Sequence, residues 1–506
     1  MTYLPQPPTL TERNLYINPC CWWVWPGLFG WALTTASGVW YLTHTNQWPY
    51  LLYLLLETAW ITMHFGLVLA ACPFKLEEHL QILAAAAQTV PPVDLCIPCC
   101  NEDLDVIRNT FAHAKQMTYP NLSIYCLDDG ASAEVEALAQ AHGITYICRP
   151  NRGYMTKSGN MQYALGQTTG KYMLVLDADF VAAPDMLQQI VPWMENDHKI
   201  AILQTPQYFD SQGPLPWVAR GAAYCQEVFY RAIQPARDRI NGSCICVGTN
   251  ALYRREALEQ CGGFYLVPAS EDVHNGYNLI QNGWKIKFLP LIFAKGLCPD
   301  SIEGLFKQHY RWCSGSSKLV TSQFFWQAPL PLHLKLAYVS GVSYYPLMAS
   351  GSIVYAAQII TMIFFLSADV KWYNLYIWLP QVLLQYIIMP NWNHASWGIA
   401  PLKSATVFRF AYMVAYIDLI RQQTEAWIPS GSSTKSQRFV IFRGLIVVEA
   451  LTLIFCLANL PNAHFIPLAT TASLGVYLLW VVGIEAFGEL VPQGLRQVFV
   501  KGEEQT

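Results

Sequence analysis

Four short polar signatures carry the chemistry that this 506-residue chain could perform: Asp128-Asp129-Gly130, Asp177-Ala178-Asp179, Glu271-Asp272 and Gln308-His309-Tyr310-Arg311-Trp312. Paired carboxylates suit hard divalent cations, and Mg2+ commonly combines one or two of them with substrate phosphates. Arg suits bidentate phosphate contact, and Trp offers a flat apolar face to a sugar ring. Taken singly, each signature also has an ordinary structural reading. Asp-Asp-Gly is a frequent turn. Asp177-x-Asp179 is either a cation site or a polar strand end. Glu271-Asp272 could open a helix, with Ser270 as its N-cap and both acids favoured by the helix dipole. Arg311-Trp312 could be an interfacial pair beside a membrane.

The elements that must position these residues are legible in the apolar pattern. Runs at 93–99, 122–127 and 171–176 each end in a polar loop, the first at Asn101-Glu102-Asp103 and the others at the acidic pairs. Helical stretches near 103–117, 133–142 and 158–167 separate them. Alternating strands and helices predict a mostly parallel α/β sheet, whose ligands bind beyond the carboxyl ends of the strands.

Composition places this domain in a membrane setting. Hydrophobic residues make up 53% of the chain and charged residues only 13%, against roughly 25% charged in soluble domains. The net charge of −3 gives no reason to expect nucleic acid. Fifteen cysteines at irregular spacings, including Cys96-x-x-Cys99, read as reduced core thiols. Residues 1–21 form an N-terminal cytoplasmic segment, and two spans are expected within 22–71. Most of the charge lies in 72–330. Four further candidate spans follow at 335–366, 374–390, 439–460 and 465–488, within a channel region 331–490 and ahead of a tail at 491–506. Residues 405–421 carry Arg409, Asp418 and Arg421 inside an apolar run and predict a surface-lying interfacial helix. The Lys and Arg distribution puts both termini and the large domain on the cytoplasmic side of a cell membrane.

In combination, the order Asp-Asp-Gly, Asp-x-Asp, Glu-Asp and Gln-x-x-Arg-Trp between two sets of spans resembles the processive family 2 glycosyltransferases, nearest in pattern to bacterial cellulose synthase catalytic subunits. Lys157-Ser158-Gly159-Asn160, Gln204-Thr205-Pro206-Gln207-Tyr208-Phe209 and Gly248-Thr249-Asn250-Ala251 followed by Arg254-Arg255 support the resemblance. It implies a GT-A domain inserted between transmembrane helices, two before and about four after. It also implies inverting transfer of glucose from UDP-glucose to a growing β-glucan, which is then exported, with Mg2+ or Mn2+ as cofactor. Asp272 would be the general base, with Glu271 beside it. Asp128, Asp129, Lys157, Gln308 and Arg311 would bind the donor, and Asp177 and Asp179 would hold its diphosphate through the metal. Trp312, Gly248 and Gln204 would meet the acceptor, in a tunnel that Trp312, Trp326, Tyr344 and Tyr345 begin to line. Residues 424–438, with Trp427, Pro429 and Ser430, occupy the place of a gating loop.

The chain departs from the family at several points. Cys100 stands where a Tyr usually precedes Asn-Glu, Val247 interrupts the Phe-Cys-Gly acceptor segment, and Trp427-Ile428-Pro429-Ser430-Gly431 replaces the usual lid sequence. These changes surround the acceptor and the lid, so the resemblance implies a β-glucan more strongly than cellulose itself. No C-terminal cyclic-di-GMP-binding domain is expected, and accessory export subunits are candidate partners. Alternatives are a synthase using another nucleotide sugar, a single transfer to a lipid, or a scaffold with a degenerate domain.

Overall fold

The computed structural model describes residues 3–86, 90–209, 215–240, 244–366, 368, 383–394, 400–425 and 435–459, with a few residues between 475 and 487. Ten strands are present among them: β1 Val93–Cys99, β2 Leu122–Asp128, β3 Thr145–Ile147, β4 Tyr172–Val175, β5 Phe180–Ala182, β6 Ile200–Gln204, β7 Tyr208–Phe209, β8 Ala251–Arg254, β9 Lys285–Phe288 and β10 Ala294–Gly296. Seven pair in the order β3-β2-β1-β4-β8-β6-β9, and β5-β10-β7 form a small second sheet. The main sheet is mixed. β1 runs parallel to β2 and β4, and β2 to β3, whereas β8 runs antiparallel to both β4 and β6. Because β6 also runs parallel to β9, four of the six pairings are parallel, as the mostly parallel sheet expected from the sequence requires, and the antiparallel strand β8 is the exception.

Apolar strand runs form here because both faces of the sheet are covered. Leu95, Ile97 and Leu174 enter one core, while Cys96, Met173 and Val175 enter the other. A two-residue period sends strand neighbours to opposite layers, and a strand covered on both faces therefore reads as a continuous apolar run. The same period separates Cys96 from Cys99 across the sheet, so their metal-like spacing has no metal-binding consequence. Both are free and buried thiols.

Nine helices matter for the site: α1 Val24–His44, α2 Trp48–Leu69, α3 Thr156–Leu165, α4 Trp217–Val228, α5 Glu271–Gln281, α6 Ile302–Val320, α7 Leu332–Phe364, α8 Ala400–Arg421 and α9 Phe439–Ala458. Among the described residues α2, α7 and α9 are long and apolar enough to cross a membrane. Helix α1 spans 21 residues but carries three Gly and three Thr. It packs on α2 through Trp31 Nε1 and Thr35, both bonded to Thr58 Oγ1. Much of the candidate spans 374–390 and 465–488 lies outside the described residues.

Helix α8 is not lying free on a surface. Val407, Phe410, Ala411, Val414 and Ala415 are buried in a core shared with Leu305, Phe306 and Cys313 of α6 and with Phe442 and Ile446 of α9. Two of its charged residues are taken up by ion pairs, Arg409 with Glu449 at 2.7 Å and Asp418 with Arg438 at 2.7 Å, while Arg421 at its end is exposed. An apolar run interrupted by charges looks amphipathic in sequence, but here Arg409 and Asp418, inside that run, have partners on neighbouring segments.

Candidate active site

The first acidic pair closes β2, where Cys99 of β1 lies opposite Asp128. Asp128 is 1% exposed and accepts from the Gly130 N–H, the Ser132 N–H and the Tyr146 hydroxyl, at 2.8, 2.8 and 2.9 Å. Asp129 takes a two-pronged pair from Arg149, with Nε at 2.6 Å and Nη2 at 2.7 Å. The same buried guanidinium donates to the Tyr154 and Thr156 carbonyls and so shapes the loop that leads into α3. Both carboxylates are thus occupied by the chain itself. Arg149 and Tyr146 were invisible as site-building residues, because neither belongs to a spaced motif.

The second group is built differently. Asp177 follows β4, and its N–H is held by Thr249 Oγ1 at 2.9 Å. Lys157, in the first turn of α3, bonds Asp177 and donates to the Gly248 carbonyl at 2.9 Å. Met155 and Thr156 just before it have φ of 51° and 47°, a left-handed entry that brings this first turn over the site. Burial disfavours the lysine charge, but Asp177, Glu271 and Asp272 outweigh it and raise Lys157 above its ordinary range. Burial, then Asp177 and Glu102, push the Asp179 carboxyl up to about 7. Burial, with Asp177 and Asp128 adding, pushes Glu102 to about 7 as well. Glu102 lies in the Asn101-Glu102 pair of the polar loop after β1 and belongs to this electrostatic group, although it was not among the expected site residues.

Such crowding of carboxylates is what a bound divalent cation would relieve, and the all-oxygen donor set fits Mg2+ or Mn2+. Among the described residues no three His, Cys, Asp or Glu side chains converge as a closed metal cage. An open site completed by substrate phosphates fits that donor set.

Glu271 and Asp272 open α5, as the dipole argument predicts. The expected N-cap does not form. Ser270 has φ 51° and ψ 40° and makes no side-chain cap bond, because its left-handed backbone turns the hydroxyl away from the first-turn N–H groups. Burial, then Glu271, raise Asp272 to about 7. Gly248 sits against it at φ +79°, and a Cβ there would come within 3.0 Å of Asp272 Oδ2. Glycine is required by both the backbone and the clearance.

Gln204 corrects the acceptor assignment. It is 0% exposed, and its amide nitrogen donates to the Thr205, Thr249 and Asn250 carbonyls while its oxygen accepts from the Val247 N–H. Its side chain clamps the loop carrying Gly248 and leaves no polar group for a sugar.

The last motif lies within α6. Gln308, Arg311 and Trp312, at i, i+3 and i+4, are half-exposed, while His309, Tyr310 and Cys313 are buried. The Arg311 charge is disfavoured by burial and favoured by Glu271, Asp177 and Asp272, so the guanidinium faces the carboxylate group. The motif's variable positions are not idle. His309 stacks on Phe408 with ring centres 3.7 Å apart, bonds Tyr412 at 2.7 Å and is held neutral by burial. Tyr412 in turn contacts Tyr344 and Tyr345. Trp326 belongs elsewhere, packed edge-on against Phe325 with its indole N–H on the Val320 carbonyl. Trp427, Pro429 and Ser430 lie outside the described residues.

Residues 91–315 match the family described as Glycosyltransferase like family 2. The chain is 32% identical over 281 residues to Cellulose synthase 1 catalytic subunit (UDP-forming) of Komagataeibacter xylinus, covering 54% of this chain and 37% of that protein. It is 33% identical over 242 residues to Cellulose synthase catalytic subunit (UDP-forming) of Xanthomonas axonopodis pv. citri, covering 47% and 33%. The matched part therefore spans little more than a third of these relatives' length. The solved structure of mannosyltransferase PcManGT from Pyrobaculum calidifontis, in complex with GDP-Man and Mn2+, superposes with a TM-score of 0.51 at 17% identity, over 72% of this chain and 98% of that one. At that identity the likeness speaks for the fold alone. The mixed sheet, the acidic strand ends and these matches together assign residues 91–315 to a glycosyltransferase family 2 domain of GT-A-like fold, flanked by apolar helices.

Proposed function

We propose that the chain is a membrane-embedded, processive, inverting glycosyltransferase that transfers glucose from UDP-glucose to a growing β-glucan and passes the product across the membrane. The observation that carries this reading is the meeting of Asp177, Asp179, Glu271 and Asp272 with Lys157 and Arg311 at one end of the sheet. A diphosphate and a cation complement that charge pattern. Support also comes from the UDP-forming cellulose synthases that the chain resembles.

In this reading Asp272 takes the proton from the acceptor hydroxyl, and a carboxyl near 7 is well matched to that work at neutral pH. Lys157 and Arg311 hold the donor diphosphate, and Gln308 and Trp312 on the same face of α6 meet the donor and the terminal sugar. Asp177 and Asp179 hold Mg2+ or Mn2+, which supplies charge neutralisation for the leaving diphosphate. Gly248 keeps the loop low beside Asp272, so that a hydroxyl has room to approach. The domain lies on the cytoplasmic face, and α2, α7 and α9 span the membrane that the polymer crosses.

The test is purified full chain with UDP-glucose and Mg2+ or Mn2+. The expected products are free UDP and a polymer digested by β-glucanase. UDP release without polymer overturns processivity, while an organic-extractable product points to a lipid acceptor. Turnover only with another nucleotide sugar overturns the donor assignment.

A further inference from the structure

Helix α6 presents more than the half-exposed face with Gln308, Arg311 and Trp312. Glu303 and Tyr310 lie seven residues apart, and therefore share another face. Both enter a single hydrogen-bond circuit with the chain at 423–425 and 435–438. The Tyr310 hydroxyl donates to Asp418 Oδ2 at 2.6 Å and accepts the Glu425 N–H at 2.9 Å. Asp418, 1% exposed, also takes Arg438 Nε at 2.7 Å, and Arg438 Nη2 donates to the Gln423 carbonyl at 2.8 Å. The Glu425 carboxylate accepts the Ser436 hydroxyl at 2.5 Å and the Gln437 N–H at 2.8 Å. The Ser436 N–H then returns to α6, donating to Glu303 at 2.8 Å.

We propose that Tyr310 and Asp418 are positioning residues for the donor: the circuit they close fixes the rotation of α6, so that Arg311 stays aimed at the carboxylate group, with Gln308 one turn before it on the same helix face. The physical case is one of geometry. Arg311 follows Tyr310 directly, so a hydroxyl locked between Asp418 and the Glu425 N–H fixes the backbone from which the guanidinium projects. Without that hydroxyl the Glu425 N–H loses its acceptor and Asp418 keeps only Arg438 of these two partners. The bonds that remain on α6 act at other positions, His309 to Tyr412 at 2.7 Å and Glu303 to the Ser436 N–H at 2.8 Å, and at Tyr310 itself only apolar packing, which is non-directional, holds the ring. Misplacing a binding group by about 1 Å is enough to cost on the order of 10²-fold.

This inference rests on the nucleotide-sugar reading, and its test separates the two. Full-length wild type, Tyr310→Phe and Asp418→Asn are compared by initial rates of UDP release against UDP-glucose, by calorimetric UDP binding and by thermal unfolding. Tyr310→Phe is expected to raise KM about tenfold and weaken UDP binding in parallel, with kcat within about threefold and Tm little changed. The double variant is expected to be no weaker than the poorer single one, because both break one circuit. An unchanged KM, with or without a lower Tm, overturns the proposal, as do additive losses. Should Tyr310→Phe fail to fold, Ser436→Ala removes only the far link and carries the same test with a smaller rise in KM. Wild type that neither binds UDP nor releases it from any nucleotide sugar overturns the donor reading instead.

Discussion

Two acidic pairs sit at the ends of β2 and β4, the strands on either side of β1, in opposite surroundings. Asp128 and Asp129 are satisfied by Gly130, Ser132, Tyr146 and Arg149. Asp177 and Asp179 share their surroundings with Glu102, Glu271 and Asp272, with Lys157 and Arg311 as the cations facing them. In the first pair every carboxylate is partnered within the fold, and Asp129 shapes the loop into α3 through Arg149. The second group stores electrostatic repulsion that an anionic, metal-bound donor would relieve. The same residue type at the same kind of strand end can therefore be fully partnered or left electrostatically crowded, and the number of partners that reach it decides which.

The sharpest way to break this comparison is to change one acid on each side. Asp272→Asn removes the proposed base and is expected to lower kcat about 10²–10⁴-fold while UDP still binds. Steady-state UDP release and calorimetry check it, and retained turnover would remove Asp272 from the mechanism. Asp129→Asn should act instead on the fold. It leaves Arg149, whose side chain is fully buried, without its charge partner, at a cost of about 3–5 kcal/mol. The readout is a lower unfolding midpoint, with kcat preserved in whatever fraction remains folded. If Asp129→Asn lost kcat without losing stability, the two regions would be functionally alike.

Smaller effects sharpen the same contrast. Gly248→Ala adds a methyl at φ +79° and 3.0 Å from Asp272, so a loss of about 1–3 kcal/mol of stability or transition-state binding is expected. Comparing kcat and Tm for this variant shows which it is. The pH profile should be the mildest probe. Asp272 is raised to about 7, so its base form is lost as pH falls through that value, and kcat should drop about tenfold per unit below it. A flat profile between pH 5 and 8 would contradict the assignment.

Much of the domain was legible in advance, for a reason visible in particular elements. β1 runs Val93–Cys99, as its apolar stretch indicated, because burial on both faces leaves a run that turn residues interrupt cleanly. Helix α5 begins at Glu271 for a different local reason, the preference of acids for a helix start, although Ser270 does not cap it. What local reasoning missed were residues whose role depends on distant partners. β8 lies 75 residues after β4 yet pairs with it antiparallel, and no periodicity encodes such a direction. Gln204 sits in a motif-like string but spends its amide on the 247–250 loop. Arg149 carries no signal at all until Asp129 is placed beside it.

The amino-acid order by itself determined β1, β2 and β4 with their polar ends, the helices between them, the apolar helices α2, α7 and α9, and the motifs through which residues 91–315 match a glycosyltransferase family, because these follow from local periodicity and short motifs. Only the tertiary structure decided which carboxylates are occupied and which remain electrostatically crowded. It also decided that α8 is buried and that Tyr310 closes a circuit through Asp418 and Glu425. Those outcomes depend on how many partners reach a side chain across tens or hundreds of residues, and on how much water is excluded when they do.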